Sequence, residues 1–265
     1  ILKLAPLDPV DMPLSAADRG SAIHDALGEF TQVYATALPP DPAGALRVIG
    51  EKYFAPLMEP PEARALWWPR FNRIAGWFAA WELVRRGDVS AIEAEIRGEI
   101  PIPLDNARIF YLSARADRIE RHHDGSFAIL DYKTGQPPTG KQVRMGLSPQ
   151  LTLEAAILRE GGFAGIAAGA SVSELGYVRL SGNNPPGEAK PLELKINKSD
   201  QAQSPDVAAD YARQELEKLI LKFENENEPY RSLNLPMWTR RYGSYDDLAR
   251  IKEWSAAGGM EIEEW

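Results

Sequence analysis

The 265-residue chain contains no cysteine. That excludes disulfides, thiol nucleophiles, thiolate-bound zinc and cysteine-held iron–sulfur clusters. Three histidines are too few for a His-rich zinc site. A metal would have to rest mainly on carboxylates, a donor set that suits magnesium, manganese or calcium. No apolar run reaches the roughly 18 residues of a membrane-spanning helix, and no basic start followed by an apolar stretch marks a secretory leader. Basic charge is not in excess either: 30 Lys and Arg against 38 Asp and Glu give a net charge of −8. As an average, that argues against a nucleic-acid partner. The charge is segregated, however. Arg64, Arg70, Arg73, Arg85 and Arg86 stand against only Glu82 over residues 64–86, while six acids crowd residues 242–265.

What is present is an ordinary globular composition, 44% hydrophobic and 26% charged, long enough for one large domain or two small ones. The Pro-rich start reads as irregular. Ser15 and Asp18 have capping-box spacing, and Ile23, Leu27, Phe30 and Tyr34 follow at helical period. A helix is expected over 16–37, stopped by Pro39-Pro40, with further helices over 42–55 and 61–87. The Trp67-to-Trp81 aromatic stripe in the last of these reads as core packing. Strands are expected over 91–97, 107–120, 126–133, 172–181 and 191–196. Helices are expected to open at Ser148-Pro149, at Ser204-Pro205 running to 224, and at Ser244 running to 255. Residues 135–140 read as a loop. This order predicts an α/β or α+β domain built on a mixed sheet.

The chemistry concentrates in 115–133. Strand alternation puts Asp131 and Lys133 on one face, with Leu130 and Tyr132 on the other. A charged pair ending an apolar strand suits a divalent cation, with Asp131 as ligand and Lys133 beside a phosphate or an attacking water. Asp117 on the neighbouring strand would be the second carboxylate. A two-residue Asp124-Gly125 turn would pair 117 with 132 and aim Asp117 away from Asp131. A shared metal therefore requires an odd-length loop, which a left-handed Gly125 in a G1 bulge supplies. Asp-x-Lys alone is a common tripeptide, and a solvated strand end is its plain alternative.

The segments Ala114-Arg-Ala-Asp117-Arg-Ile-Glu120, Ala128-Ile-Leu-Asp131-Tyr-Lys133-Thr-Gly135 and Ser148-Pro-Gln150-Leu-Thr-Leu-Glu154, in that order, resemble the RecB-type branch of the PD-(D/E)xK nucleases. With the Gly20-x-x-x-His24 stretch upstream and Tyr245 to Trp254 at the end, the likeness is greatest to the C-terminal nuclease domain of AddB-type subunits. It implies a restriction-endonuclease-like α/β core, a mixed sheet flanked by helices, with an N-terminal helical elaboration. It also implies magnesium-dependent DNA hydrolysis (manganese possible), with His24, Asp117, Asp131 and the Tyr132 carbonyl at the metal, Lys133 as catalytic lysine and Gln150 near phosphate and lysine. The family often holds an iron–sulfur cluster through four Cys, and this chain would be a cluster-free version. The family's Tyr four residues after the glutamine is here Glu154, and its usual Gly before the first acid motif is Ala114.

On this reading, 1–265 is one nuclease domain cut from a longer chain that starts before Ile1. Residues 1–90 would form the helical elaboration, 91–230 the core and 231–265 the tail. It would act in the bacterial cytoplasm as an exonuclease in double-strand break processing. Its partners would be DNA, fed as a single strand from a duplex end, and an AddA-type helicase–nuclease subunit, with no membrane. The alternative is a catalytically silent DNA- or protein-binding module of the same fold. A near P-loop at Gly135–Gln142 lacks the Ser or Thr that would ligate magnesium, and Pro137 and Pro138 remove backbone donors. Lys141 and Arg144 there, and Arg70, Arg73 or Arg85, are candidates to follow a phosphate backbone.

Overall fold

The computed structural model describes residues 15–59, 61–104, 108–197 and 199–229. Residues 14–222 make one compact unit, and the sites below lie within it. The expected irregular start and the helix over 244–255 fall outside the described residues.

Helix α1 (Ala16–Val33) opens with the expected capping box: the Ser15 side chain accepts from the Ala17 and Asp18 amides, and the Asp18 carboxylate accepts the Ser15 N–H at 2.7 Å. It ends before the anticipated Pro39-Pro40. Arg86 reaches over from the other end of the layer and donates to the Tyr34 and Ala35 carbonyls at 2.6 and 3.3 Å. A cap supplied by tertiary structure thus stops the helix early. Helix α2 (Pro42–Phe54) has Asp41 as N-cap and proline in its first turn. Helix α3 (Pro61–Arg85) carries the aromatic stripe. Phe71, Ile74 and Phe78 are buried, with Trp67, Trp68, Trp77 and Trp81 packed against them.

Strands β1 (Val89–Pro103), β2 (Ile109–His122), β3 (Phe127–Lys133), β4 (Val172–Leu180) and β5 (Gly187–Pro191) lie side by side in chain order, antiparallel except for the parallel β3–β4 pair. The sheet is mixed, as expected. Strand β1 runs six residues past its expected end, and Pro101 and Pro103 are tolerated because it is an edge strand. The strand expected over 191–196 is absent, and β5 precedes it. Leu192, Leu194 and Ile196 do alternate, but the ladder stops at Pro191, which has no N–H to donate. A short helix, α4 (Gly140–Arg144), stands where a loop was expected to continue, opened by a Thr139–Gln142 capping box. Helices α5 (Gln150–Arg159) and α6 (Pro205–Glu224) follow.

Alternation along β3 sorts the core. Phe127 and Ile129 join α5, Ala208 and Ala209 of α6, and Val143 of α4 on one face. Leu130 and Tyr132 join α1, α2 and α3 on the other. With both faces covered, the strand's first six residues are all buried, and its charged end emerges at the rim.

Part of the arginine-rich stretch is committed to partners within the protein. Arg85 pairs with Glu120 and Glu174 at 2.7 and 3.0 Å, and Arg86 with Glu82 at 2.5 Å. Arg73 donates to the Gly182 carbonyl. Arg85 and Arg86 are thereby tied to carboxylates, whereas Arg73 remains exposed.

Candidate active site

The β2–β3 hairpin decides where Asp117 lies. Its ladder runs from Arg121↔Phe127 to Arg118↔Leu130. The His122 N–H bonds the Ser126 carbonyl at 2.8 Å, and the Gly125 N–H bonds the His122 carbonyl at 3.1 Å. Gly125 has φ +87. This is the odd-length loop with a left-handed glycine that a shared site requires. The register places residue 117 opposite 131, not 132.

At that point the ladder stops. The Asp117 carboxylate takes the place of a strand carbonyl and accepts the Tyr132 N–H at 2.9 Å. The two strands part here while β3 stays paired to β4, with Asp131 opposite Tyr177 and Lys133 opposite Arg179. His24 reaches the same carboxylate from α1, with Nδ1 at 3.4 Å from Asp117 Oδ2. Gly20, one turn earlier, lets α1 approach Thr134, since an added Cβ would sit 3.3 Å from its hydroxyl.

Asp131 is 1% exposed. Its Oδ2 lies 2.6 Å from Lys133 Nζ, and its Oδ1 accepts from Gln150 Nε2 at 2.7 Å. Lys133 in turn donates to Gln150 Oε1 at 3.4 Å. Gln150 begins α5, so its side chain reaches the strand end from the first helical turn. The structure therefore forms two linked groups, His24–Asp117–Tyr132 N–H and Asp131–Lys133–Gln150. Among the described residues, no three acid or imidazole groups converge closely enough to enclose a metal ion unaided.

A family model for the PD-(D/E)XK nuclease superfamily matches residues 1–234. The chain belongs to that superfamily. Its members are generally nucleases and typically use divalent metal ions. An uncharacterized protein of Rickettsia bellii (strain RML369-C) is 32% identical over 163 residues, covering 62% of this chain and 20% of the relative. Uncharacterized protein RT0391 of Rickettsia typhi is 32% identical over 151 residues, covering 56% and 17%. The chain thus spans about a fifth of the length of these relatives. The solved structure of SSO0001 aligns over 88% of this chain and 96% of its own at 13% identity and a TM-score of 0.35, too low a likeness to carry an argument.

In this PD-(D/E)XK chain the acids crowd one another. Burial first, and then the charge of Asp117, raise the Asp131 carboxyl above the usual range against the opposing pull of Lys133. Glu95 on β1 is raised in the same way, by burial and then Asp117. It stands across from Asp117 in the register, with φ +55, and its carboxylate meets Arg115 at 2.8 Å. Burial works against a charged His24, but the hydrogen bond and charge of Asp117, with Asp131 behind, outweigh it and raise the imidazole. Such mutually repelling oxygen donors fit a hard divalent cation, which would relieve the repulsion. A cleft of about 410 Å³ opens on His24, Glu95, Arg115 and Asp117.

Glu95 and Tyr177 escaped the sequence reading. An acid in an alternating strand carries no local mark, and Tyr177 matters only because β4 lies parallel beside β3, bringing its ring within 5.9 Å of Lys133 Nζ. Lys141 and Arg144 lie on α4, and the Arg144 guanidinium rests over the Tyr211 ring at 5.2 Å. His122 lies in the hairpin, near Ser126 and Ser173.

Proposed function

We propose that this chain is a metal-dependent deoxyribonuclease of the RecB type, an AddB-like exonuclease portion of a larger protein that trims DNA ends in recombinational repair. The observation that carries the reading is the parting of β2 and β3 at Asp117, which leaves Asp117 and Asp131 in register at the rim with Lys133 and Gln150 beside them.

Asp117 and Asp131 would hold the cation, with His24 as a third donor. Magnesium suits the carboxylates, and manganese tolerates the imidazole better. In a strand, one residue's N–H and C=O point to the same side. The Tyr132 carbonyl therefore shares the side of its N–H, toward Asp117, and suits a further donor. When bound, the cation would polarise the phosphate and lower the pKa of water. Lys133, held against Asp131, would orient the attacking water and offset charge developing on the phosphate. Gln150 holds Lys133 and Asp131 in mutual reach. For the substrate, Arg19 lies near Arg70, and burial followed by that like charge lowers its pKa. Neither has an acid partner among the described residues, which suits a phosphate backbone. A single strand delivered by an AddA-type helicase–nuclease subunit in the bacterial cytoplasm is the setting proposed.

The test is degradation of end-labelled single- and double-stranded DNA with magnesium or manganese, comparing wild type with Asp131→Ala and Lys133→Ala. Loss on the order of 100-fold or more in both variants, with folding intact, is the expected result for groups acting in the transition state. Cleavage that survives both substitutions means the site lies elsewhere. A folded wild type that binds DNA but never cleaves it means a silent binding module.

A further inference from the structure

Glu154 lies one turn into α5 from Gln150, on the same helix face. It is 2% exposed. Its Oε1 accepts from Gln150 Nε2 at 3.1 Å, and its Oε2 is buried with no hydrogen-bond partner among the described residues. A carboxyl placed there is costly, because a polar group loses water and regains only one bond. An apolar side chain of similar length would pack the same space at no such cost. A carboxyl at this place calls for something an apolar side chain cannot do.

The Gln150 amide shows what that is. Its NH2 faces two carboxyl oxygens, Asp131 Oδ1 at 2.7 Å and Glu154 Oε1 at 3.1 Å, and its carbonyl faces the Lys133 ammonium at 3.4 Å. An amide has two donors on nitrogen and acceptors only on oxygen, and an ammonium only donates. The flipped amide would set its oxygen against both carboxyls and its NH2 against the ammonium. Lys133 sits at the rim of the site, whereas Glu154 is buried beneath it. It is the internal anchor of the trio.

We propose that Glu154 is a positioning residue that locks the orientation of the Gln150 amide and through it the Lys133–Asp131 pair. The role goes beyond the ligand and lysine assignments above and rests on the reading that Lys133 and Gln150 work on the phosphate. One helix turn links a buried acceptor to an exposed amide, and the amide presents its oxygen to the lysine and its nitrogen to the ligand acid.

Three variants of the full chain separate positioning from packing. Glu154→Gln keeps an acceptor at Oε1, Glu154→Met fills the space without one, and Gln150→Ala removes the group being positioned. The first readout needs no activity. In 15N-labelled protein, the Gln150 side-chain NH2 signals, assigned by their loss in Gln150→Ala, should be shifted and slow to exchange in wild type and Glu154→Gln. In Glu154→Met, one of the pair should exchange with water about tenfold faster, the worth of one lost hydrogen bond. The second readout is DNA hydrolysis. Glu154→Met should lower kcat about tenfold with KM for DNA unchanged, while its melting temperature holds or rises. It should have no further effect in the Gln150→Ala background. Unchanged NH2 signals in Glu154→Met would overturn the proposal and make Glu154 a space-filling residue. So would an equal loss of rate in the Gln150→Ala background. Wild-type inactivity with the expected NH2 response would count against the nuclease reading alone.

Discussion

The Glu154 carboxyl is pushed up to about 8, first by burial and then by the charges of Asp131 and Asp117, against the hydrogen bond from Gln150. In the unfolded chain it ionises near the ordinary 4.5. Between those values the folded protein keeps a proton that the unfolded chain has released. Stability from this group therefore falls as pH rises through the window and levels off above about 8. In metal-free thermal melts from about pH 5 to 9, wild type should lose on the order of a few kcal/mol to this group and Glu154→Gln should not. A gap between the two that stays constant with pH would show the carboxyl to be hydrated. The facing of Asp131 and Lys133 was legible in the sequence, because strand alternation fixes it locally. The burial of Glu154 was not. Its position in the helix could be counted, but its environment is set by β3 and β4, far away in the chain.

The β2–β3 hairpin brings the two acids into register through one backbone conformation. Gly125 at φ +87 has open space where a Cβ would go, so the cost of a side chain there is backbone strain alone. Gly125→Val should destabilise the protein by about 1–2 kcal/mol, read as a lower urea midpoint with unchanged slope. A neutral result would mean the loop adopts another turn without loss. The odd-length loop was legible as a requirement, since Gly125 was the residue able to satisfy it. The early end of α1 was not, because the capping donor, Arg86, is 52 residues from Tyr34. Nor was the place of β5, because alternation at 192–196 marks a strand only where a partner offers a ladder. The α4 turn had its signal, Thr139 with Gln142 three residues on, hidden under two prolines that favoured a loop.

Between the α1–α3 layer and the sheet lies a buried ionic network. Arg118, 0% exposed, bonds Glu82 and Glu120, with the Trp81 ring 5.1 Å away and the Tyr132 hydroxyl at 3.5 Å. Arg118 follows Asp117 directly, so the network clamps the strand where it parts from β3. Removing one partner leaves a buried charge exposed to no water. Glu82→Ala should cost about 3–5 kcal/mol, whereas replacing the pair as Glu82→Leu with Arg118→Met should cost much less. Chemical denaturation of the single and double variants measures the difference, and equal losses would show that shape rather than charge holds this layer. No described helix is long and apolar enough to cross a membrane. The sequence by itself determined the mixed α/β order, the N-terminal cap of α1, the aromatic face of α3 and the short spacing of Asp131 and Lys133. All of these follow from local period, turn chemistry and side-chain size. The tertiary structure alone decided that Arg85 and Arg86 are tied up in ion pairs, that β2 and β3 part at Asp117, and that Glu95 and Glu154 come near the same acids. Those outcomes depend on which surfaces bury each other and which charges are then left facing, and no local pattern encodes that.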